Sequence, residues 1–206
     1  MWIVSVLLRA ALALVAPIRL FRWYLALSVA GSIIAMYLNR HAVALYQPWW
    51  IIKSVGLAVG NVMLVRDALK RLDVHLDGGW WGIAWLASCG AAVSLLHRPR
   101  VWPGSHLELW EVAFGVVSLW LGMVTAIGFM AARVSIKTSV VAERHAMILA
   151  AYLLMDAVCL FPASAYPHIG QAGSIATTLC YAAWIAVLGS GSVSFSSPLT
   201  DRGKPS

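Results

Sequence analysis

The stretch whose reading decides the fold is LWEVAFGVVSLWLGMVTAIGFMAA, residues 109–132, which holds a single charge, Glu111, among 24 residues. As a helix it would be about 36 Å long, enough to cross a hydrocarbon core about 30 Å thick. Glu111, Gly115, Ser118, Gly122 and Thr125 recur in it at spacings of three and four, so one face is small or polar while the rest is bulky. Against lipid tails such a face gains nothing. It gains contacts only against other helices, and the stretch therefore predicts a bundle.

Six further apolar stretches surround it, at 1–18, 23–38, 46–65, 80–96, 146–165 and 172–190, and the connections are short. The expected fold class is all-α: a polytopic membrane helix bundle of seven transmembrane helices over residues 1–193, with a short cytoplasmic tail at 194–206. Composition agrees, with 61% hydrophobic and 11% charged residues among 206 and a mean hydropathy of +0.81. A soluble domain carries about 25% charged residues, so an ordinary water-soluble enzyme core and a disordered chain are both excluded. Trp23, Trp49, Trp50, Trp80, Trp81, Trp102 and Trp110 fall near segment ends, where an indole keeps its ring buried and its N–H wet. Pro17, Pro48, Pro99, Pro103, Pro162, Pro167 and Pro198 fall in connections or terminal turns, where a missing N–H costs little.

Alternating the connections across the bilayer collects ten Lys and Arg on one side and three on the other, with Arg9 and Lys53 inside segments. Positive charge stays in the cytoplasm, which predicts the N-terminus outside and the C-terminus inside a bacterial cytoplasmic (inner) membrane. The first segment also invites reading as a signal peptide. It lacks a basic n-region, and Arg9 interrupts the apolar run, so a retained helix is expected. A central Arg costs roughly 2.5 to 3.5 kcal/mol to insert, so Arg9 needs a partner or a route to the interface.

Cys89, Cys159 and Cys180 share no metal-ligand spacing, and phosphate-binding glycine loops and zinc-protease or serine-hydrolase motifs do not occur. His41, His97, His106 and His168 lie on the expected outer side without ligand spacing. The expectation is therefore no metal, no cofactor, no nucleic-acid partner and no catalytic residue. The lipid bilayer is the first partner, with a protein partner or a homo-oligomer to carry any output. The basic run Arg66, Asp67, Lys70 and Arg71 continues the third helix as an anchor against anionic headgroups.

Ionisable groups inside the membrane are the default functional candidates. Lys53 lies roughly 10 Å, Asp156 roughly 13 Å and Glu111 roughly 6 Å below the outer ends of their helices by helical rise. Lys53, Gly56 and Gly60 share a face, with Gly56 and Gly60 as a small-residue packing contact, and His145, Tyr152 and Asp156 share another. The candidate ligand or ion site is Lys53, Glu111, Tyr152 and Asp156 in the outer half of the bundle. The structural alternative is that Lys53 and Asp156 neutralise each other, directly or through Tyr152 or Glu111.

The order of parts resembles a functionally unassigned family of small bacterial seven-helix integral membrane proteins. The resemblance rests on a first helix ending in basic residues, Phe21-Arg22-Trp23-Tyr24, Tyr46-Gln47-Pro48-Trp49-Trp50, Arg66-Asp67, and Glu143-Arg144-His145-Ala146 leading to Asp156. It implies the fold and no activity; the family often has an acid where this chain has Lys53. A sensory or small-ligand-binding membrane module acting with a partner is the expected function, and a small secondary transporter or channel is the alternative. The paired proline-glutamine motifs of SWEET sugar transporters are missing, and the seventh segment holds no Schiff-base lysine for retinal. If the charge split sets the topology, a C-terminal fusion to a periplasm-active reporter will be silent and a cytoplasm-active one functional; the reverse pattern refutes it.

Overall fold

The computed structural model describes residues 2–96, 109–135, 139–160 and 167–189, and among them every regular element is a helix. Seven helices follow in order: α1 (Trp2–Val15), α2 (Arg19–His41), α3 (Val43–Arg71), α4 (Gly78–Leu96), α5 (Leu109–Ser135), α6 (Val140–Leu160) and α7 (Pro167–Gly189). Among the described residues, four are long and apolar enough to cross a membrane: α2, α3, 112–134 of α5 and 171–188 of α7. The apolar part of α1, Ile3–Val15, is shorter, and α6 carries Glu143, Arg144 and Asp156. The tail at 194–206 lies outside the described residues, as do Pro99, Pro103, Pro162 and Pro198.

Local chemistry explains the breaks. Pro17 removes a donor and breaks the helical run between α1 and α2, and the Arg22 guanidinium caps the Ala16 carbonyl at that break, donating from Nε at 3.1 Å and Nη2 at 2.7 Å. Between α2 and α3 only Ala42 intervenes, leaving the helical region at φ −149° and ψ 63°. Six residues past Val65, α3 ends in a Schellman turn: Val74 N–H reaches the Leu69 carbonyl at 3.1 Å and Asp73 N–H the Lys70 carbonyl at 3.2 Å. Asp73 occupies the left-handed position, φ 54°, which a short polar side chain tolerates. The charged run before it is helical, with Arg71 bonded to Asp67 at 2.7 Å.

One proline departs from expectation, since Pro48 lies inside α3 rather than in a connection or terminal turn. Its cost is limited because only the first turn and a half of the helix precedes it, where donors and carbonyls are closest to the free end.

Helix α6 is the hub, packed on α3, α5 and α7, while α1 bridges α2 and α7, and α2 leans on α3. Helix α4 packs on α5 alone among the described residues. The core is built from Phe21, Leu25, Leu64, Val65, Leu121, Leu149, Leu153 and Trp184, all essentially inaccessible. On α5, Gly115, Ser118, Gly122 and Thr125 are buried as the stripe predicts, whereas the Glu111 side chain lies outside the described residues. Val116, on the bulkier side of that helix, is also buried, because α5 is held between α4 on one flank and α3 and α6 on the other.

The glycines of α3 do not make the expected small-residue helix contact. A Cβ at Gly60 would meet the Tyr24 ring at 2.7 Å, but one at Gly56 would meet nothing within 4 Å. True backbone approach occurs on α5, where a Cβ at Gly122 would lie 2.9 Å from Leu154 Cδ2 and 3.2 Å from its backbone nitrogen. Accordingly, Gly56→Ala should leave the thermal midpoint unchanged or raise stability by up to about 1 kcal/mol through helix propensity. Gly122→Ala should instead lower it, by about 1–3 kcal/mol of overpacking less that gain. Thermal unfolding of both variants in lipid nanodiscs reads the contrast, and equal shifts would contradict the packing described.

Candidate functional site

Three tiers of polar and aromatic side chains cross the bundle, one above another. The lowest lies nearest the end bearing Arg66, Arg71 and Glu143. There Trp184 donates from Nε1 to His145 Nδ1 at 3.1 Å, with the Phe21 ring 4.8 Å from the Trp184 ring and 5.4 Å from the imidazole. Because Nδ1 accepts, the proton of neutral His145 sits on Nε2. That nitrogen and Asn61 Oδ1 are buried without a partner among the described residues.

The middle tier is three tyrosines from three helices. The hydroxyls of Tyr24 and Tyr152 are 3.2 Å apart, and the Tyr152 ring lies 5.5 Å from both Tyr181 and Trp184. All three tyrosines are at least 93% buried, so the hydroxyls must satisfy one another.

The top tier carries the charges. Arg9, 9% exposed, donates from Nη1 to Ser28 Oγ at 2.6 Å and Ser32 Oγ at 3.3 Å and from Nε to the Ser5 carbonyl at 3.2 Å, with its guanidinium 5.7 Å from the centre of the Tyr181 ring. Among the described residues its insertion cost is thus met by hydroxyls, a carbonyl and a π face, without a carboxylate. Across the bundle, Ser118 donates to Asp156 Oδ2 at 2.8 Å.

Lys53 stands apart from both. It forms no ion pair among the described residues, and Asp156 attracts it while Arg9 repels it, both at longer range. Among the described residues Lys53 and Asp156 form no direct ion pair: Asp156 bonds Ser118 and Tyr152 bonds Tyr24, while a link through Glu111 falls on a side chain outside the described residues. The lysine stem passes over Gly31, where a Cβ would come within 2.9 Å of Lys53 Cγ.

What Lys53 does border is a cavity of about 480 Å³ between α2 and α3. Leu20, Trp23, Tyr24, Leu27, Ala30, Gly31 and Ile34 line one wall, and Trp49, Lys53, Gly56, Leu57, Val59, Gly60 and Met63 the other. Both sets advance by three or four residues, so the walls are two facing helical stripes. Trp49 spans the top, donating from Nε1 to the Gly31 carbonyl at 3.1 Å. Trp23, Leu27, Val59 and Met63 remain exposed, so the cavity opens sideways from the bundle.

Of the four expected site residues, the fold puts Lys53 on the cavity, Tyr152 in the tyrosine tier and Asp156 on Ser118, while the Glu111 side chain lies outside the described residues. Sequence reasoning missed Ser28, Ser32, Tyr24, Tyr181 and Trp184. Spacing was the available signal for α2, where Phe21, Tyr24, Ser28, Gly31, Ser32 and Ala35 form one buried face. Among the described residues no group of His, Cys, Asp and Glu could hold a metal, and the three cysteines are free thiols. The side chains of His97, His106 and His168 lie outside the described residues, and His41 is exposed against Tyr37. No protein-family model, curated protein or solved structure matches the chain.

The Arg9 cradle makes a quantitative expectation. Ser28→Ala leaves a charged donor unsatisfied in the core and should cost about 1–3 kcal/mol. In an Arg9→Met background the same change should cost little, since no charge is then stranded. A thermal-unfolding cycle measures the coupling, and additive losses would show that the bond does not matter.

Proposed function

We propose that this chain is a seven-span membrane protein of the bacterial cytoplasmic membrane, N-terminus outside, that binds a small amphipathic ligand and acts through a partner protein as a sensory module. The seven helices, four of them long and apolar enough to span, together with the ten-to-three charge split, support the topology. Membership of the unassigned family of small seven-helix membrane proteins is part of the same reading, carried by the residues quoted for it.

The observation that carries the binding function is the cavity between α2 and α3. Its volume falls in the range of about 300–1,000 Å³ typical of small-molecule sites, its walls are almost wholly apolar, and one ammonium group stands at it. A lipid-facing slot of this kind selects a molecule with a hydrocarbon body and one polar end. The two walls belong to helices joined by the single residue Ala42, so filling the slot would fix the angle between α2 and α3. Such a change would reach the rest of the bundle through the Tyr24–Tyr152 contact and the Arg9 bonds to α2, which is what a sensor needs.

Thermal unfolding in nanodiscs against a series of neutral single-chain amphiphiles tests this. A saturable stabilisation is expected, approaching about 2.7 kcal/mol at a hundredfold excess over Kd. Gly56→Trp, which places a large ring where a Cβ meets open space, should abolish the response while the protein stays folded. Absence of any stabilisation, or selective flux of the compounds into liposomes, would refute the sensor reading; flux would establish the transporter.

A further inference from the structure

We infer that the ligand of the α2–α3 cavity is an anionic single-chain lipid, a free long-chain carboxylate whose head pairs with Lys53 and whose chain runs along the slot toward Met63. This rests on the binding function proposed above and adds the chemical class of the ligand.

Shape is the first argument. On α3 the lining extends from Trp49 to Met63 and on α2 from Leu20 to Ile34, each about 21 Å by helical rise. A volume of 480 Å³ drawn out over that length is a slot, not a chamber. Lys53 lies near one end, and from it to Met63 the walls present Gly56, Leu57, Val59 and Gly60 opposite Leu20, Leu27 and Ala30. An extended hydrocarbon chain fits such a slot; a compact polar metabolite would desolvate with nothing to bond to.

Charge is the second, independent argument. Among the described side chains of the polar tiers there are two cations, Arg9 and Lys53, and one carboxylate, Asp156. Arg9 is bonded through Nε and Nη1 to a carbonyl and two hydroxyls, and Asp156 is held by Ser118. Among the described side chains of these tiers Lys53 alone lacks a bonded partner, with Asp156 attracting it only at longer range, in a membrane protein and beside apolar walls. A charge so placed calls for a counterion. The other polar groups near it are already committed, the Trp49 N–H to the Gly31 carbonyl and the Tyr24 hydroxyl to Tyr152, so the head is met by one ammonium. One compact monoanion is what a single ammonium satisfies, and a carboxylate takes charge-assisted bonds from it.

The test uses the full chain in zwitterionic phosphatidylcholine nanodiscs, at a pH where the carboxylate is ionised. Bromine-labelled stearate and the equally labelled stearyl alcohol are titrated, and quenching of tryptophan fluorescence is followed; Trp23→Phe and Trp49→Phe, singly and together, identify the part that comes from the slot. Saturable quenching by both is expected, with the acid tighter on the order of tenfold. Lys53→Met and Lys53→Gln should each reduce the acid to the level of the alcohol, and Lys53→Arg should keep the preference. Equal affinity of acid and alcohol for the native chain, or a preference that survives both neutral substitutions, overturns the carboxylate assignment while leaving the amphiphile site standing. Displacement of stearate by phosphatidylglycerol at equal mole fraction overturns the single-chain assignment. Absence of saturable quenching by either probe overturns this inference and the binding function together.

Discussion

Hydrocarbon offers no hydrogen bonds, so a polar group that a membrane helix carries inward needs a partner within the protein, on its own helix or on another. The guanidinium of Arg9 shows the constraint most plainly. It sits on the shortest apolar helix, and its bonds to Ser28 and Ser32 with its approach to the Tyr181 ring tie α1 to α2 and α7 at one level. Without that cradle α1 would carry a bare charge on a helix of 14 residues. Much of the arrangement around it follows, because α2 can show its serines to α1 only by showing Phe21 and Tyr24 to α6 and Gly31 to α3.

Helix α2 therefore works on three sides. Its buried stripe joins the aromatic tiers, in which Phe21, His145 and Trp184 pack below Tyr24, Tyr152 and Tyr181. Its neighbouring stripe makes one wall of the cavity, and the remainder faces outward with Ile33, Met36 and Tyr37 exposed. The cavity exists because glycine stands where bulk would close it: Gly31 makes way for the Lys53 stem, Gly60 receives the Tyr24 ring, and Gly56 leaves space. Packing and ligand space are two outcomes of the same missing side chains, and what separates them is whether a neighbour fills the gap.

That distinction explains which residues were legible in sequence. The stripe on α5 could be read, because a run of small and polar residues at spacings of three and four on a long apolar helix has only one favourable environment. Lys53, Gly56 and Gly60 were also legible as a face, yet their reading as a packing contact failed at Gly56, since spacing says which residues align and not what lies opposite. Lys53 and Asp156 lie at comparable depth, and depth alone suggested a pair. Their separation is decided by rotation about the helix axes, which put Asp156 against Ser118 and Lys53 against the slot. Ser28 and Ser32 were passed over because hydroxyls in a membrane helix are common, and only an approaching guanidinium makes two of them a cradle.

By itself the sequence determined that this is an all-helical chain with spans long and apolar enough for a membrane, the approximate limits of seven helices, and the inward face of α5. Those follow from one-dimensional quantities: run length, hydropathy and helical period. The tertiary structure alone decided that Arg9 is solvated by serines, that among the described residues tyrosines and not an ion pair cross the centre, and that α2 and α3 part to leave a slot at Lys53. Each of these depends on which stripe of one helix meets which stripe of another, and that is a property of helix rotation and contact order in space that no single helix carries.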